Sequence, residues 1–323
     1  MIPIHTIASF AKPQPDTVAA IFLLRKYGED AFPGIARAKL ELWMELPPGT
    51  TAQELEQNGY ILIDLGNGQF DHHRHLIDGR PTKCASEIVA EYLGVSQDPS
   101  LRKLLAYARR DDLEGKGTIS ADPLDRAFGL SGLLSNLNRT YSQDLVVVIE
   151  MVHAMFVAHH AEEENRTKIL PAEWKELSAD GRADQWGLNT ALGRARVVQV
   201  PSDNPGMAGF LKAYHHFDIV VVRRSTGHVS IITNQSKRVD LGPVMAHIRA
   251  LEIRRSDPQA FVVNDLSQPG RIDEVPWWWY DTAANTLQNG GLRPDGVIST
   301  SLSYQEVNRA LYDGLFVPET QEQ

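Results

Sequence analysis

The chain has 323 residues, of which 42% are hydrophobic and 23% are charged, and its formal net charge at pH 7 is −9. This composition is typical of globular domains and excludes a disordered or fibrous protein. The negative charge argues against a protein that holds long duplex DNA through many lysine and arginine contacts, but short nucleic-acid ends and small phosphorylated molecules stay open as partners.

The single cysteine, Cys84, allows no internal disulfide bond. Such cysteine usage is typical of a reducing compartment. The sequence contains no continuous run of about 20 apolar residues and no basic segment of the signal-peptide kind at its start. We therefore expect a cytoplasmic protein that does not bind membranes.

The first part of the chain predicts strands that alternate with helices. Apolar and β-branched runs predict strands over 2–8, 39–46 and 60–64, and helices are expected to begin near Asp16, Thr51, Thr82 and Leu101. This alternation predicts an α/β fold with a largely parallel sheet flanked by helices. Ligands of such sheets bind at the carboxyl ends of the strands, and Asp64 ends the third predicted strand.

The remainder predicts a second, smaller α/β domain. A turn-rich segment over 113–143 is followed by a long amphipathic helix over 145–164 and by a polar, broken segment over 178–187. Later segments predict strands over 197–200 and 259–263, a hairpin of 218–223 with 228–233, and a helix over 241–251. We expect a first domain over 1–145, a linker helix and connection over 146–187, and a C-terminal domain over 188–323.

The most informative segment follows the third predicted strand. Residues 61–75 run from a buried strand through Asp64 and a glycine-rich turn into Asp71-His72-His73, with His75 close behind. Carboxylates and imidazoles are ligands of divalent metals, so this cluster predicts a metal site more strongly than a solvated polar turn.

These residues resemble the motifs of the DHH phosphoesterase superfamily, and within it those of the MYG1 family of proposed metal-dependent hydrolases and 3′–5′ exonucleases. The resemblance covers about the first 120 residues. It rests on the order His5, Asp16, Asp64-Leu65-Gly66, Phe70-Asp71-His72-His73, Thr82-Lys83-Cys84-Ala85-Ser86 and Arg110-Asp111-Asp112.

The resemblance implies a set of metal ligands and catalytic residues. One ion would take Asp16, Asp64, His72 and either Asp111 or Asp112, and Asp64 would bridge to a second ion that uses His5. The residues themselves leave alternatives open, because His5 could equally be a strand-end histidine and Asp16 a helix N-cap. Mn²⁺ is the expected metal, with Mg²⁺, Co²⁺ or Zn²⁺ as alternatives.

Other residues are implied to contact the substrate or to support the metals. Asp71 and His73 would contact phosphate or orient the ligands, and His75 could replace a missing ligand. In the C-terminal domain, Gly290 and Gly291 resemble the family's substrate-binding glycine pair, with Arg293 beside them. An ordinary Asn-Gly-Gly turn is the alternative for these glycines.

Two functions remain open at this point. The first is a divalent-metal-dependent phosphoesterase, an exonuclease on single-stranded RNA, DNA or short oligonucleotides, or a hydrolase of small phosphorylated molecules; a homodimer is compatible with it. The second is a non-catalytic DHH-like scaffold that binds a nucleotide or a partner protein. Gln14 favours the second, because the resemblance implies an acidic residue or a histidine there.

Overall fold

A computed structural model describes residues 2–74, 76–236, 238–259, 265–291 and 295–318. The chain divides into two compact units, residues 1–167 and 168–323. The division falls in a π-helical turn, Asn165–Ile169, within the segment 146–187 in which the connection was expected. Both units combine helices with sheets, which confirms the α/β class.

The first unit contains a three-stranded sheet in which both strand pairs are parallel. The strands β1 (Thr6–Phe10), β2 (Lys39–Trp43) and β3 (Tyr60–Ile63) have the order β2-β1-β3. A two-residue hairpin, β4 (Leu76–Ile77) with β5 (Arg80–Pro81), follows β3. The helices of this unit are α1 (Pro15–Tyr27), α2 (Ala52–Gln57), α3 (Ala85–Tyr92), α4 (Arg102–Glu114), α5 (Pro123–Phe128), α6 (Leu130–Thr140) and α7 (Leu145–Glu164).

Helix α1 lies at the centre of the first unit. Its residues from Pro15 to Leu24 are all buried, because this helix is apolar on every side and packs against α3, α4 and α7. Its position fixes the residues at its N-terminus relative to the sheet, since α1 begins only five residues after β1 ends.

Asp111 and Asp112 lie inside α4, which ends at Glu114 and has Gly115 as its C-cap residue with φ 63°. One expectation about this unit was wrong. The segment 113–143 is not only turns, because it contains α5 and α6. Asp122 caps α5 by accepting the backbone N–H of Leu124, and Leu130, Leu134 and Leu137 give α6 an apolar side.

The second unit contains four helices and six strands. They are α8 (Leu170–Ala179), β6 (Asp184–Thr190), β7 (Gly193–Pro201), α9 (Met207–His215), β8 (Ile219–Arg223), β9 (Val229–Thr233), α10 (Gly242–Ser256), β10 (Trp278–Asp281), β11 (Thr286–Asn289) and α11 (Tyr304–Leu315), as far as this unit is described. The strands form a mixed sheet of order β10-β11-β9-β8-β7-β6. Strands β7 and β8 are parallel and joined by α9, whereas the other pairs are antiparallel. Helices α8 and α9 contribute to the core on one face of this sheet, and α10 and α11 to the core on the other.

The hairpin expected over 218–233 is confirmed as β8 and β9. The expected strand over 259–263 lies outside the described residues except for Gln259, which belongs to a turn.

The helical stretch from Leu145 to Ala179 is long and apolar enough to cross a membrane, with a mean hydropathy of 1.4 in its most apolar window. Glu150 and Glu162 interrupt the apolar residues of this stretch, so it contains no continuous apolar run of that length. Val148, Ile149, Val152 and Phe156 of this stretch pack in the core of the first unit. Core helices of soluble proteins pass the same test of length and composition.

Candidate metal centre

The parallel sheet brings Asp16 and Asp64 to the same edge. Asp64 directly follows β3, and Asp16 is the second residue of the helix that follows β1. Because β1 and β3 are adjacent and parallel, their carboxyl ends meet at one edge. Asp64 has a left-handed backbone with φ 50°, a conformation that is uncommon outside glycine and that clusters at functional sites.

Asp16 is fixed by the N-terminus of α3. Its side chain is 1% exposed and accepts the backbone N–H groups of Ala85 at 2.8 Å and Ser86 at 2.9 Å. The Ser86 hydroxyl donates to the same carboxylate at 2.5 Å. These contacts lock the carboxylate in one orientation, and the remaining lone pairs of its oxygens stay available to a cation.

Asp64, His72 and Asp112 present further ligand atoms at this edge. Nδ1 of His72 lies 2.8 Å from Oδ1 of Asp64 and 3.8 Å from Oδ2 of Asp112. All three atoms are buried, yet none makes a hydrogen bond with a described residue, so the close approach of His72 to Asp64 is not an aligned donor–acceptor pair. Three buried polar atoms that converge without hydrogen bonds are what a metal ion would satisfy.

The pKa values reflect the crowding of these charges. Burial alone would lower the pKa of His72, but contact with Asp64, together with the charges of Asp112 and Asp16, outweighs burial and raises it to about 9. Burial, followed by repulsion from Asp16, raises the pKa of Asp112 to about 6. Burial and then the charge of Asp64 also raise the pKa of Asp16. Clusters of perturbed groups of this kind are typical of functional sites.

The donor set fits a divalent ion. Ligand atoms of Asp16, His72 and Asp112 lie within 4.8 Å of one another, and so do those of Asp64, His72 and His73. Carboxylate oxygens with one or two imidazoles suit Mn²⁺ and related ions. The two groups share His72, so Asp16, Asp64, His72 and Asp112 form the principal candidate site and His73 extends it.

Asp71 and His73 support this site from the loop after β3. Asp71 is 4% exposed and accepts the backbone N–H groups of Asn67 at 2.8 Å and His73 at 3.0 Å. Nδ1 of His73 lies 2.9 Å from the same carboxylate, which leaves Nε2 of His73 for a ligand or a proton. Asp71 therefore orients the loop and His73, while the His73 side chain is 64% exposed.

Two predicted ligands are not brought to the cluster. His5 precedes β1 and lies at the opposite edge of the sheet, where it contacts the Asn58 carbonyl and the Thr6 hydroxyl at 2.8 Å each. It is a strand-start histidine, and its assignment as a metal ligand was wrong. Asp111 accepts a hydrogen bond from Ser131, and Asp112 is the residue of this pair that belongs to the candidate site.

The remaining predicted residues lie elsewhere. Gly290 and Gly291 belong to the second unit, where they directly follow β11 with φ 83° and 55°. His75 and Arg293 lie outside the described residues. Substrate binding by Gly290, Gly291 and Arg293 stays a prediction.

Two residues of the site were missed by the sequence reasoning. Ser86 holds Asp16, and the hydroxyl of Thr17 donates to Oδ2 of Asp64 at 3.3 Å. Ser86 lies in the Thr82–Ser86 motif of the resemblance, which implied no role for this serine. Thr17 offered no sequence signal beyond its position next to Asp16.

A cavity of about 560 Å³ opens onto the candidate metal centre. Asp64, His72, His73 and Asp112 lie on its polar side, and Lys12 and Gln14 come from the loop after β1. An apolar side completes it, formed by Phe10, Met44, Leu46 and Leu65. The cavity therefore combines a metal-binding side with a cation and an apolar surface.

Comparisons with known proteins give no family for this chain. No protein-family model matches it, and no curated protein is similar to it. Among solved structures it is similar to a chain described as an uncharacterized protein from Helicobacter pylori G27, with 13% sequence identity over 96% of this chain and 99% of that one. The TM-score of 0.22 is too low for that similarity to support any conclusion about fold or function.

Proposed function

We propose that the protein is a divalent-metal-dependent phosphoesterase of the DHH type, similar to the MYG1 family. The observation that carries this proposal is the convergence of Asp16, Asp64, His72 and Asp112, in which one buried ligand atom each of Asp64, His72 and Asp112 has no hydrogen-bond partner among the described residues. Such a set at the carboxyl ends of parallel strands has a better explanation in metal binding than in packing.

The chemistry requires charge neutralisation and proton transfer. When bound, a divalent ion, most favourably Mn²⁺, supplies the positive charge that an anionic phosphodiester needs for hydrolysis. Asp16, Asp64, His72 and Asp112 would hold the ion, and Thr17 keeps the Asp64 carboxylate in place. His73, oriented by Asp71, can give or take a proton at Nε2 on the cavity side.

The cavity favours a small substrate or the end of a chain. Its volume of about 560 Å³ would hold one or two nucleotides, but not a duplex. Lys12 would attract a phosphate, and Met44, which is 72% exposed, offers an apolar surface to a base or to another apolar group. The substrate class is therefore a short single-stranded oligonucleotide or a small phosphodiester.

Hydrolysis of bis-p-nitrophenyl phosphate and of a short single-stranded oligonucleotide in Mn²⁺ tests this proposal. We expect activity in the wild type and none in Asp64→Ala, because Asp64 is the residue expected to contact two ions. Asp111→Asn is the matched control and should stay active. Inactivity of the wild type on both substrates would contradict the proposal.

A binding module is the second candidate, and Gln14 is the residue that favours it. Gln14 is the N-cap residue of α1 and lines the cavity, yet its side chain makes no capping hydrogen bond and offers a weak, uncharged ligand. If Gln14 only weakens a second metal site, Gln14→Asp should tighten Mn²⁺ binding and raise the rate. Activity that appears only in Gln14→Asp would identify the natural protein as a binding module.

A further inference from the structure

The second unit has a cavity of its own at the carboxyl ends of β7 and β8. Its volume is about 430 Å³. Residues 201–203 at the end of β7 and 223–225 at the end of β8 line it, together with α8, Arg182 and Tyr304. These are the parallel strands of the sheet, joined by α9. The carboxyl ends of parallel strands are where α/β sheets bind ligands.

Arg223 is a cation of this cavity that has no acidic partner among the described residues. Its guanidinium lies 4.5 Å from the ring centroid of Tyr304 and donates to the Leu302 carbonyl at 2.8 Å. Its Nε–H is buried and has no acceptor in the described part of the chain. The guanidinium is therefore fixed in place with one donor unused, an arrangement that costs free energy unless a ligand accepts from it.

Arg224 is the second cation, and it lines a neighbouring cavity that also includes Gly291. Its side chain is half-buried, and within the described part of the chain its guanidinium makes neither an ion pair nor a hydrogen bond. The charge of Arg224 does act on Asp203, whose pKa is lowered first by hydrogen bonds with Ser225 and then, more weakly, by Arg224. Two successive arginines without a contacting carboxylate among the described residues are unusual at a half-buried position, since buried charges are normally paired.

The carboxylates of the same cavity are already engaged by other donors. Glu173 accepts the Ser202 hydroxyl at 2.6 Å, and Glu176 accepts Arg182 at 2.6 Å. Asp203 accepts the backbone N–H of Ser225 at 2.9 Å. Of the arginines that line the cavity, Arg182 is bound to Glu176, whereas Arg223 and Arg224 keep donors for a ligand.

We propose that this cavity binds a small phosphate monoester that carries hydroxyl groups. The planar fork of arginine matches the geometry of a phosphate group, which would accept from Arg223 and Arg224. A phosphate alone is much smaller than 430 Å³, and the carboxylates of Glu173 and Asp203 can accept from ligand hydroxyls in the remaining space. This site does not depend on the metal centre of the first unit.

Isothermal titration calorimetry of the full chain with ribose 5-phosphate tests the proposal, with ribose as the neutral probe. We expect ribose 5-phosphate to bind and ribose not to bind. Arg224→Gln should weaken the binding of ribose 5-phosphate about tenfold to a hundredfold, because a hydrogen bond to a charged group is lost. Arg224→Lys should recover only part of the affinity, since it restores the charge without the fork.

Two controls separate this site from others. Arg194→Gln changes an exposed arginine at the amino end of β7 and should leave the affinity unchanged. Asp64→Ala should also leave it unchanged, because Asp64 belongs to the first unit. The Arg224 side chain makes no hydrogen bond within the described part of the chain, and its variants keep the backbone N–H that donates to the His228 carbonyl, so they should unfold at the wild-type temperature. Absence of ribose 5-phosphate binding to the wild type, or equal affinity in Arg224→Gln, would overturn the proposal.

Discussion

His72 carries the proton whose loss metal binding requires. Only the neutral imidazole binds a metal, whereas Asp64, Asp112 and Asp16 stabilise the charged form and raise the pKa of His72 to about 9. In the metal-free protein the imidazolium thus partly replaces the missing cation. Protons and metal ions therefore compete for this cluster across the neutral pH range.

The first prediction concerns the pH dependence of stability without metal. The pKa of His72 is raised above the ordinary value of 6.5 to about 9, so its stabilising contribution is complete below pH 6.5 and is lost as the pH rises through 9. Urea unfolding should show the free energy of unfolding falling by about 2–3 kcal/mol over this interval. His72→Gln should abolish this fall, and His247→Gln, at an exposed position of α10, should keep it. A wild-type stability that rises between pH 6.5 and 9 would contradict this reasoning.

Asp112 acts in the same direction at lower pH. Burial and then Asp16 raise its pKa from 3.8 to about 6, so its contribution is complete below pH 3.8 and is lost as the pH rises through 6. The second prediction is that the stabilisation by Mn²⁺, measured as the increase in melting temperature, grows from pH 6 to pH 9, because fewer protons must then be displaced. If Mn²⁺ raises the melting temperature by the same amount at every pH from 6 to 9, Mn²⁺ does not displace the proton of His72.

Single residues of the site were predictable where a motif and a strand end coincide. Asp64 directly follows a predicted strand and His72 lies in the motif eight residues later, so their placement needed only the local sequence. Asp111 and Asp112 could not be separated, because neighbouring residues of a helix differ in direction by about 100° and the rotation of α4 depends on packing. The resemblance implied a metal role for His5, but His5 precedes β1. A residue before a parallel strand lies at the edge of the sheet away from the carboxyl ends, where ligands bind.

At the scale of elements, Asp16 joins α1 to α3. It lies in the first turn of α1 and accepts three hydrogen bonds from residues at the start of α3. A carboxylate at a helix N-terminus also interacts favourably with the helix dipole. The sequence left Asp16 open as a metal ligand or as the N-cap of the helix that begins beside it. Gln14 is the N-cap residue of α1 and Asp16 caps α3 instead, so the cap alternative was wrong and the metal role of Asp16 stays a prediction.

The third prediction uses this difference between Asp16 and Asp112. Asp16→Ala should lower the free energy of unfolding of the metal-free protein by about 3 kcal/mol, since it leaves buried donors without an acceptor. Asp112→Ala should cost far less, because the Asp112 carboxylate oxygen Oδ2 makes no hydrogen bond and repels Asp16. If Asp16→Ala and Asp112→Ala lower the free energy of unfolding equally in urea, Asp16 does not stabilise the contact between α1 and α3.

Elements were predictable where the apolar pattern was strong. Strands β2 and β3 and helix α1 lie where they were expected, whereas β1 (Thr6–Phe10) overlaps only the end of the strand expected over 2–8. Helix α6 was missed because a glycine and two asparagines interrupt its apolar pattern. Helix α5 has no buried residue, so hydrophobic periodicity could not reveal it.

At the scale of the whole molecule, the net charge of −9 limits the size of the nucleic acid that can bind. Long duplexes are held by many phosphate contacts that this chain does not offer as a broad surface. The strand order of the six-stranded sheet was not predictable, because it joins β11 to β9 across a helix and a long connection.

The fourth prediction is that activity depends on substrate length. Single strands of two to five nucleotides should be hydrolysed with a higher kcat/KM than a duplex of about 30 base pairs, because only short ends fit the cavity without repulsion. Preference for the long duplex, measured under the same salt, would contradict the proposed substrate class.

The most direct test of the metal centre is the binding of Mn²⁺ to the wild type, to Asp64→Asn and to Asp111→Asn, measured by calorimetry at pH 8. The wild type and Asp111→Asn should bind Mn²⁺ with similar affinity, because Asp111 points to Ser131 and not to the cluster. Asp64→Asn should bind at least about 100-fold more weakly, since a ligand carboxylate is lost. No Mn²⁺ binding by the wild type, or equal binding by all three proteins, would contradict the metal centre of Asp16, Asp64, His72 and Asp112.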